Sequence, residues 1–108
     1  MIPRISRKDA TPVEMIPGLV RRTLATGERV MMCEFTAEQG VYIPSHSHPH
    51  EQVGVVLEGR VEFDIEGETF VANPGDSYAI PGDVEHAARF LAPTRLLETF
   101  SPPRESYR

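Results

Sequence analysis

The stretch GVYIPSHSHPHEQVGVVLEG, residues 40–59, holds three of the four histidines of this chain. His46 and His48 are two residues apart, so on an extended strand both imidazoles would point to the same face. Gln52 has the same parity and offers an amide oxygen, which is a harder ligand than imidazole. The pattern therefore predicts that this face can hold one divalent metal ion, with metal–nitrogen distances of about 2 Å.

The fourth histidine, His86, lies far along the chain, on a strand that a barrel could bring across its interior. A mixed set of imidazole and amide ligands leaves coordination positions for water or substrate. From His46 and His48 alone, a metal site and a solvated histidine-rich loop both remain open. His50 shares their parity, but Pro49 interrupts the strand period, and we interpret His50 as a structural residue or a support for a ligand.

Around this stretch, short β-type runs alternate with turns that contain glycine or proline. In VEFDI, residues 61–65, apolar and charged side chains alternate with a period of two, which is typical of a half-buried strand. Other β-type runs span residues 29–35, 53–57, 69–72, 77–80, 86–91 and 95–100. About eight or nine short strands predict an all-β sandwich or barrel. We expect one domain over residues 13–108, preceded by a flexible polar arm over residues 1–12.

Composition limits the classes of function. The chain has 108 residues, 11 Lys and Arg against 16 Asp and Glu, and a formal net charge of −5. Nucleic-acid binding needs clustered positive charge, so we expect no nucleic-acid partner. No apolar run has membrane-spanning length, and we expect no membrane partner. The single Cys33 cannot form an internal disulfide, which favours a reducing, cytoplasmic location.

The spacing of these residues resembles the two sequence motifs of the cupin family. The first motif is matched by Gly40, His46, His48, Gln52 and Gly59, with Gln52 where the usual form has Glu. The second resembles GDSYAIPGDVEHAARF, residues 75–90, through Gly75, Pro81 and His86.

Two departures from the second motif affect no ligand. Asp83 stands where that motif has Gly, with Gly82 one position early, and Phe90 stands where it has Asn. The resemblance implies a double-stranded β-helix, the jelly-roll barrel of the cupins. It also implies one divalent metal ion held by four ligands: His46, His48, Gln52 and His86. Nickel, iron, manganese, zinc or cobalt would all suit such a set.

The C-terminal stretch ETFSPPR, residues 98–104, is the second informative segment. Read from the residues alone, it is a last edge strand with a solvated Glu98 and a surface Arg104. It is also similar to an Asp-x-Phe-x-x-x-Arg ending found in a group of small single-domain cupins. That group includes the enzyme of pectin and alginate breakdown that opens unsaturated uronates to a linear keto sugar.

The resemblance implies three roles in the pocket. Glu98 would be the acid/base, Phe100 a wall against the sugar ring, and Arg104 the partner of a substrate carboxylate, which a guanidinium can bind with two parallel hydrogen bonds. Glu98 is one methylene longer than the Asp of that group, which shifts the position of the carboxylate. Tyr78 is expected to pack in the core.

Three functions remain open at this point. The first is a metal-dependent enzyme that acts on a small carboxylated sugar, with the metal as Lewis acid. The second is a dioxygenase with a redox-active iron or manganese. The third is a non-catalytic sensor for a small ligand. In each case we expect a homodimer, because a small open barrel leaves strand edges that residues 13–24 could pair across a twofold axis.

Overall fold

The computed structural model describes residues 4–108 of the chain, in which ten strands form two antiparallel sheets. The strands are β1 (Pro12–Ile16), β2 (Leu19–Thr26), β3 (Met31–Ala37), β4 (Tyr42–His46), β5 (Glu51–Glu58), β6 (Val61–Ile65), β7 (Glu68–Ala72), β8 (Ser77–Ile80), β9 (His86–Phe90) and β10 (Thr94–Ser101). The same residues contain two short 3₁₀ helices, Arg7–Asp9 and Glu105–Tyr107, and no α-helix. The predicted all-β, single-domain fold is confirmed.

The larger sheet has the strand order β1-β2-β3-β10-β5-β8, and the smaller sheet has the order β4-β9-β6-β7. The chain crosses between the sheets repeatedly, for example from β4 to β5 and from β8 to β9. This crossing produces the jelly-roll arrangement, in which the inward faces of the two sheets share one core.

Alternation of buried and more exposed side chains marks several of these strands, most clearly β5, β8 and β10. Along β10, Thr94, Leu96, Glu98 and Phe100 are all buried, while the residues between them are more exposed. Each fully buried large apolar side chain contributes about 1.5–3 kcal/mol of transfer free energy. The largest of them are Phe90, Phe100, Met31, Ile80 and Val56.

The segment before β1 contacts the larger sheet. Arg7 forms an ion pair with Glu34 at 2.8 Å, and Arg22 donates a hydrogen bond to the carbonyl of Ala10 at 2.9 Å. Ala10 itself is buried. The flexibility expected for residues 1–12 stays a prediction, and residues 1–3 lie outside the described part. None of the helices in residues 4–108 is long and apolar enough to cross a membrane.

Candidate metal centre

His46 and His86 face each other across two neighbouring strands. His46 is the last residue of β4, His86 is the first residue of β9, and the two are paired in the strand register. Their ring centroids are 4.3 Å apart. His86 thus reaches His46 from the adjacent strand of the same sheet, and the expectation that it crosses the barrel interior is wrong.

His48 lies beyond the end of β4, in the loop that leads to β5, so strand parity does not align it with His46. Its position is set by the turn before β9, where the backbone N–H of Asp83 donates to the His48 carbonyl at 2.8 Å. Any side chain at Gly82 would collide with the carbonyl of Pro49. Asp83 has a φ of 66°, a left-handed conformation that Asp tolerates better than most residues, which explains Asp where the motif has Gly.

The three imidazoles are oriented in the same way. In each ring Nδ1 forms a hydrogen bond with a backbone carbonyl two residues away, so Nδ1 carries the proton and Nε2 keeps a free lone pair. The pairs are His46 with Pro44 at 3.0 Å, His48 with His50 at 3.0 Å, and His86 with Val84 at 2.9 Å. The contribution of His50 to this group is therefore a backbone carbonyl that orients His48.

The three histidines fit a metal ion. Their ligand atoms all lie within 4.8 Å of one another, whereas two atoms bound to one ion by bonds of about 2 Å are at most about 4 Å apart, so small side-chain shifts would complete the site. Within the described residues, the buried His48 Nε2 has no hydrogen-bond partner, as expected for a ligand atom. Burial, and then the charge of Arg104, lowers the pKa of His48 to about 4; burial also lowers the pKa of His86. Both rings are thus kept neutral, the form that binds metal.

Gln52 comes from β5 in the other sheet and lines the same cavity as His46 and His86. Its amide Nε2 donates to Glu98 Oε2 at 2.5 Å, so the amide oxygen is left as the potential ligand atom. A Glu at position 52 would place two carboxylates side by side, which is unfavourable in a buried site. The contact with Glu98 explains why this chain has Gln there.

Glu98 is buried in the centre of the larger sheet, since β10 lies between β3 and β5. The interpretation of Glu98 as a solvated residue on an edge strand is wrong. Its Oε2 accepts hydrogen bonds from Gln52 and from the Tyr78 hydroxyl, the latter at 2.6 Å. Burial raises the pKa of Glu98 above its usual value, although these two donors oppose the shift. Tyr78 is buried as expected, but its hydrogen bond to Glu98 was not apparent from the sequence.

Arg104 follows β10 and lies at the cavity beside Phe100. Its guanidinium carbon is 5.3 Å from the centre of the Phe100 ring and 4.1 Å from that of Tyr107. The Arg104 Nε atom is buried and has no hydrogen-bond partner among residues 4–108. The cavity has a volume of about 200 Å³, and its wall is largely apolar. Its polar side chains are His46, Gln52, His86, Glu98, Arg104 and Tyr107.

Comparison with known proteins agrees with this geometry. A family profile described as "Cupin domain" (Cupin_2) matches residues 33–100. The chain is 28% identical over 102 residues to the pectin degradation protein KdgF of Dickeya dadantii, covering 92% of this chain and 93% of that protein. Among solved structures, KdgF from Halomonas sp. has a TM-score of 0.90 and 28% identity, covering 97% of this chain and 96% of that one. An RmlC-like cupin from Shewanella frigidimarina has a TM-score of 0.89 and 27% identity, covering 99% and 100%.

Proposed function

Because the chain belongs to the Cupin_2 family, we propose that it is a metal-dependent enzyme that opens or isomerises a small unsaturated uronate. The observation that carries the proposal is the buried carboxyl of Glu98, which lines one small cavity together with His46, His86 and Arg104. Similarity to a pectin degradation protein over nearly the whole chain supports a carboxylated sugar as the substrate.

In this proposal His46, His48 and His86 hold one divalent ion, and the amide oxygen of Gln52 is the fourth ligand. The donor set suits nickel, iron, manganese, zinc or cobalt. When bound, the ion supplies Lewis-acid polarisation of a substrate oxygen. The backbone carbonyls that hold each Nδ1 fix the three rings before the metal arrives, which reduces the entropy lost on binding.

Glu98 is the proposed acid/base. Opening an unsaturated uronate to a keto sugar removes the proton of the anomeric hydroxyl, whose oxygen forms a carbonyl as the bond between the anomeric carbon and the ring oxygen breaks. The released enolate becomes the ketone when the proton is added to its carbon. The change is an isomerisation and needs no oxidant, so one group that accepts and then donates a proton is sufficient. Tyr78 and Gln52 both donate to Oε2, which leaves Oε1 of Glu98 to hold the proton.

Arg104 and Phe100 are proposed to position the substrate. The guanidinium of Arg104 is not paired with a carboxylate within residues 4–108, so it is available for the carboxylate of a uronate. Phe100 is fully buried and would limit the position of the sugar ring. The partner of the protein is in this view a small carboxylate-bearing molecule.

The experiment is elemental analysis of protein purified without added metal, followed by a turnover screen against unsaturated uronates. We expect about one divalent ion per chain and loss of the unsaturated chromophore with time. Oxygen uptake linked to turnover would instead favour a dioxygenase. Tight binding of a uronate without turnover would favour a non-catalytic sensor.

We further propose that the protein is a cytoplasmic homodimer. The first strand, β1, is an edge of the larger sheet, and Val13 and Ile16 on it are exposed. Pairing of such an edge with a second copy would cover both apolar side chains. The single, buried Cys33 suits a reducing compartment.

A further inference from the structure

Arg21 is a buried cation that the proposed reaction does not use. It lies on β2 with its side chain turned inward, in register with Phe35 of β3, and is only 7% exposed. Its Nη1 contacts the sulfur of Met15 at 3.1 Å, and its Nε has no hydrogen-bond partner among residues 4–108. A thioether is a weak acceptor, so this guanidinium is poorly compensated.

Arg21 and Arg104 share one aromatic ring. Their guanidinium carbons lie 4.3 Å and 4.1 Å from the centre of the Tyr107 ring, so the two cations are close together. Within residues 4–108, three different arginines form ion pairs with carboxylates on the outside of the barrel: Arg7, Arg95 and Arg108. In the part of the chain that the structure describes, neither Arg21 nor Arg104 has a carboxylate within 4.0 Å.

Two guanidiniums on one aromatic ring, of which that of Arg21 is buried and that of Arg104 half-buried, are costly unless an anion compensates them. The carboxyl group in the cavity wall, that of Glu98, is already hydrogen-bonded to Tyr78 and Gln52. One ligand carboxylate on Arg104 would leave Arg21 uncompensated. The local charge therefore favours a ligand with two negative groups.

Arg21 does not itself line the cavity but lies directly behind Met15 and Tyr107, which do. We propose that Arg21 becomes a second anion-binding group of this cavity when Met15 moves aside, and that the natural ligand is a small molecule with two carboxylates, one bound by Arg104 and the other by Arg21. This inference rests on the proposed function, because it takes the cavity of Arg104 and Glu98 as the ligand site. It narrows the substrate class from unsaturated uronates in general to those that carry a second carboxylate besides the uronate group.

Met15 is the side chain that a second carboxylate would displace. It lines the cavity, is only partly buried, and contacts Arg21 through its sulfur. Methionine is unbranched and changes rotamer readily, so its sulfur can give way to a stronger acceptor. Tyr107 also lines the cavity and is in contact with both guanidiniums. A volume of about 200 Å³ restricts the ligand to a small molecule.

The test is calorimetric titration of the metal-loaded protein with matched probes: succinate against butyrate, and glutarate against pentanoate. A second charge-assisted pair is worth about a 10- to 100-fold difference in affinity. We expect each dicarboxylate to bind at least about tenfold more tightly than its monocarboxylate. Arg21→Gln should remove this preference while leaving monocarboxylate affinity within about twofold, and Arg104→Gln should weaken both probes.

Two further variants show whether Arg21 binds the ligand or has only a structural role. Arg22→Gln is the matched control, because Arg22 is the next residue on β2, carries the same charge, and bonds to the carbonyls of Arg7 and Ala10 on the outside. It should retain the full preference for dicarboxylates. Arg21→Lys keeps the charge and should retain part of it. If Arg21 only supported Tyr107, Arg21→Gln would weaken both probes equally, and the proposal would be wrong.

Equal affinity of the wild-type protein for both members of each pair would also overturn the proposal. Metal content and uronate turnover are measured on the same samples, so the two conclusions can fail separately. Turnover without a dicarboxylate preference would remove only the role of Arg21. The converse result is a protein that turns over no uronate but prefers dicarboxylates in a way that depends on Arg21. That result would support the two-anion site and remove the proposed reaction.

Discussion

The hydroxyl of Tyr78 donates a hydrogen bond to Glu98 Oε2 at 2.6 Å, although the two residues are on strands that are not neighbours. Strand β5 lies between them, and Gly54 of β5 is paired in register with both residues. The Tyr78 side chain passes over Gly54, and a Cβ there would lie 2.5 Å from the Tyr78 oxygen. The contact thus depends on a glycine in the intervening strand.

Gly54→Ala should therefore displace Tyr78 from Glu98. Overpacking of this kind costs about 1–3 kcal/mol of unfolding free energy, and loss of the hydrogen bond should also lower kcat. Thermal unfolding and kinetics on a uronate substrate would measure both effects. Tyr78→Phe removes only the hydroxyl and should lower kcat with a smaller loss of stability. Gly27→Ala, where the nearest atom is 3.7 Å from the new Cβ, is the control and should change neither.

Replacing the histidines should distinguish those that bind the metal through their rings from His50, which only orients His48. We expect His46→Ala combined with His48→Ala to lose the metal, because two of three imidazole ligands are gone. His50→Ala keeps the backbone carbonyl that orients His48 and should retain metal content close to the wild type. Elemental analysis of purified variants measures both. Full occupancy in the double variant would show that the ion is bound elsewhere.

Substitutions of Glu98 and of Arg104 should change different kinetic constants. Glu98→Gln keeps the shape of the side chain but removes the acid/base, so turnover should fall about 10²- to 10⁴-fold with metal content unchanged. Arg104→Ala removes a charge-assisted pair of about 1.5–3 kcal/mol and should mainly raise KM. If both variants matched the wild type on a verified substrate, the C-terminal site would have no catalytic role.

The acid stability of the protein should depend on Glu34, away from the metal centre. Burial alone would raise the pKa of Glu34, but hydrogen bonds from Arg7 and Arg95 outweigh it and leave the pKa below its usual value of 4.5. The folded state thus favours the ionised form. Its contribution to stability is present above about pH 4.5 and is lost as the pH falls through the lower, folded-state pKa.

Urea unfolding as a function of pH would measure this contribution. Glu34→Gln should be less stable than the wild type near neutrality, and the difference should shrink in acid, where the wild-type carboxyl is protonated as well. Glu58→Gln is a suitable control, because its side chain is 67% exposed and pairs with the partly exposed Arg95. A difference that stays constant with pH would contradict the assignment.

The proposed dimer predicts a mass of about two chains by light scattering at micromolar concentration. Val13→Lys places a charge on the exposed edge strand β1 and should shift the mass towards a monomer, because an edge lysine opposes strand pairing. Val71→Lys, on the edge strand of the other sheet, is the matched control and should leave the mass unchanged. A monomeric wild-type protein would remove the proposal.

The sequence alone predicted the fold class, which the structure confirms, and it singled out residues that the structure brings to one cavity: His46, Gln52, His86, Glu98 and Arg104. Alternation within short runs specifies strands, because side chains of a strand point alternately to opposite faces, and the spacing of His46, His48, Gln52 and His86 matched that of a known family. At position 83 the sequence showed only that Asp replaces the Gly of the motif, and the positive φ of Asp83 became apparent in the structure.

The tertiary structure decided how those residues meet. His46 and His86 pair across adjacent strands, and His48 is placed by a loop, relationships that depend on the strand order and not on parity along one strand. The hydrogen bond from Tyr78 to Glu98 and the contact of Arg21 with Tyr107 also join elements that are distant in sequence. Such contacts depend on which strands become neighbours, and the period of two within each strand carries no information about its neighbours.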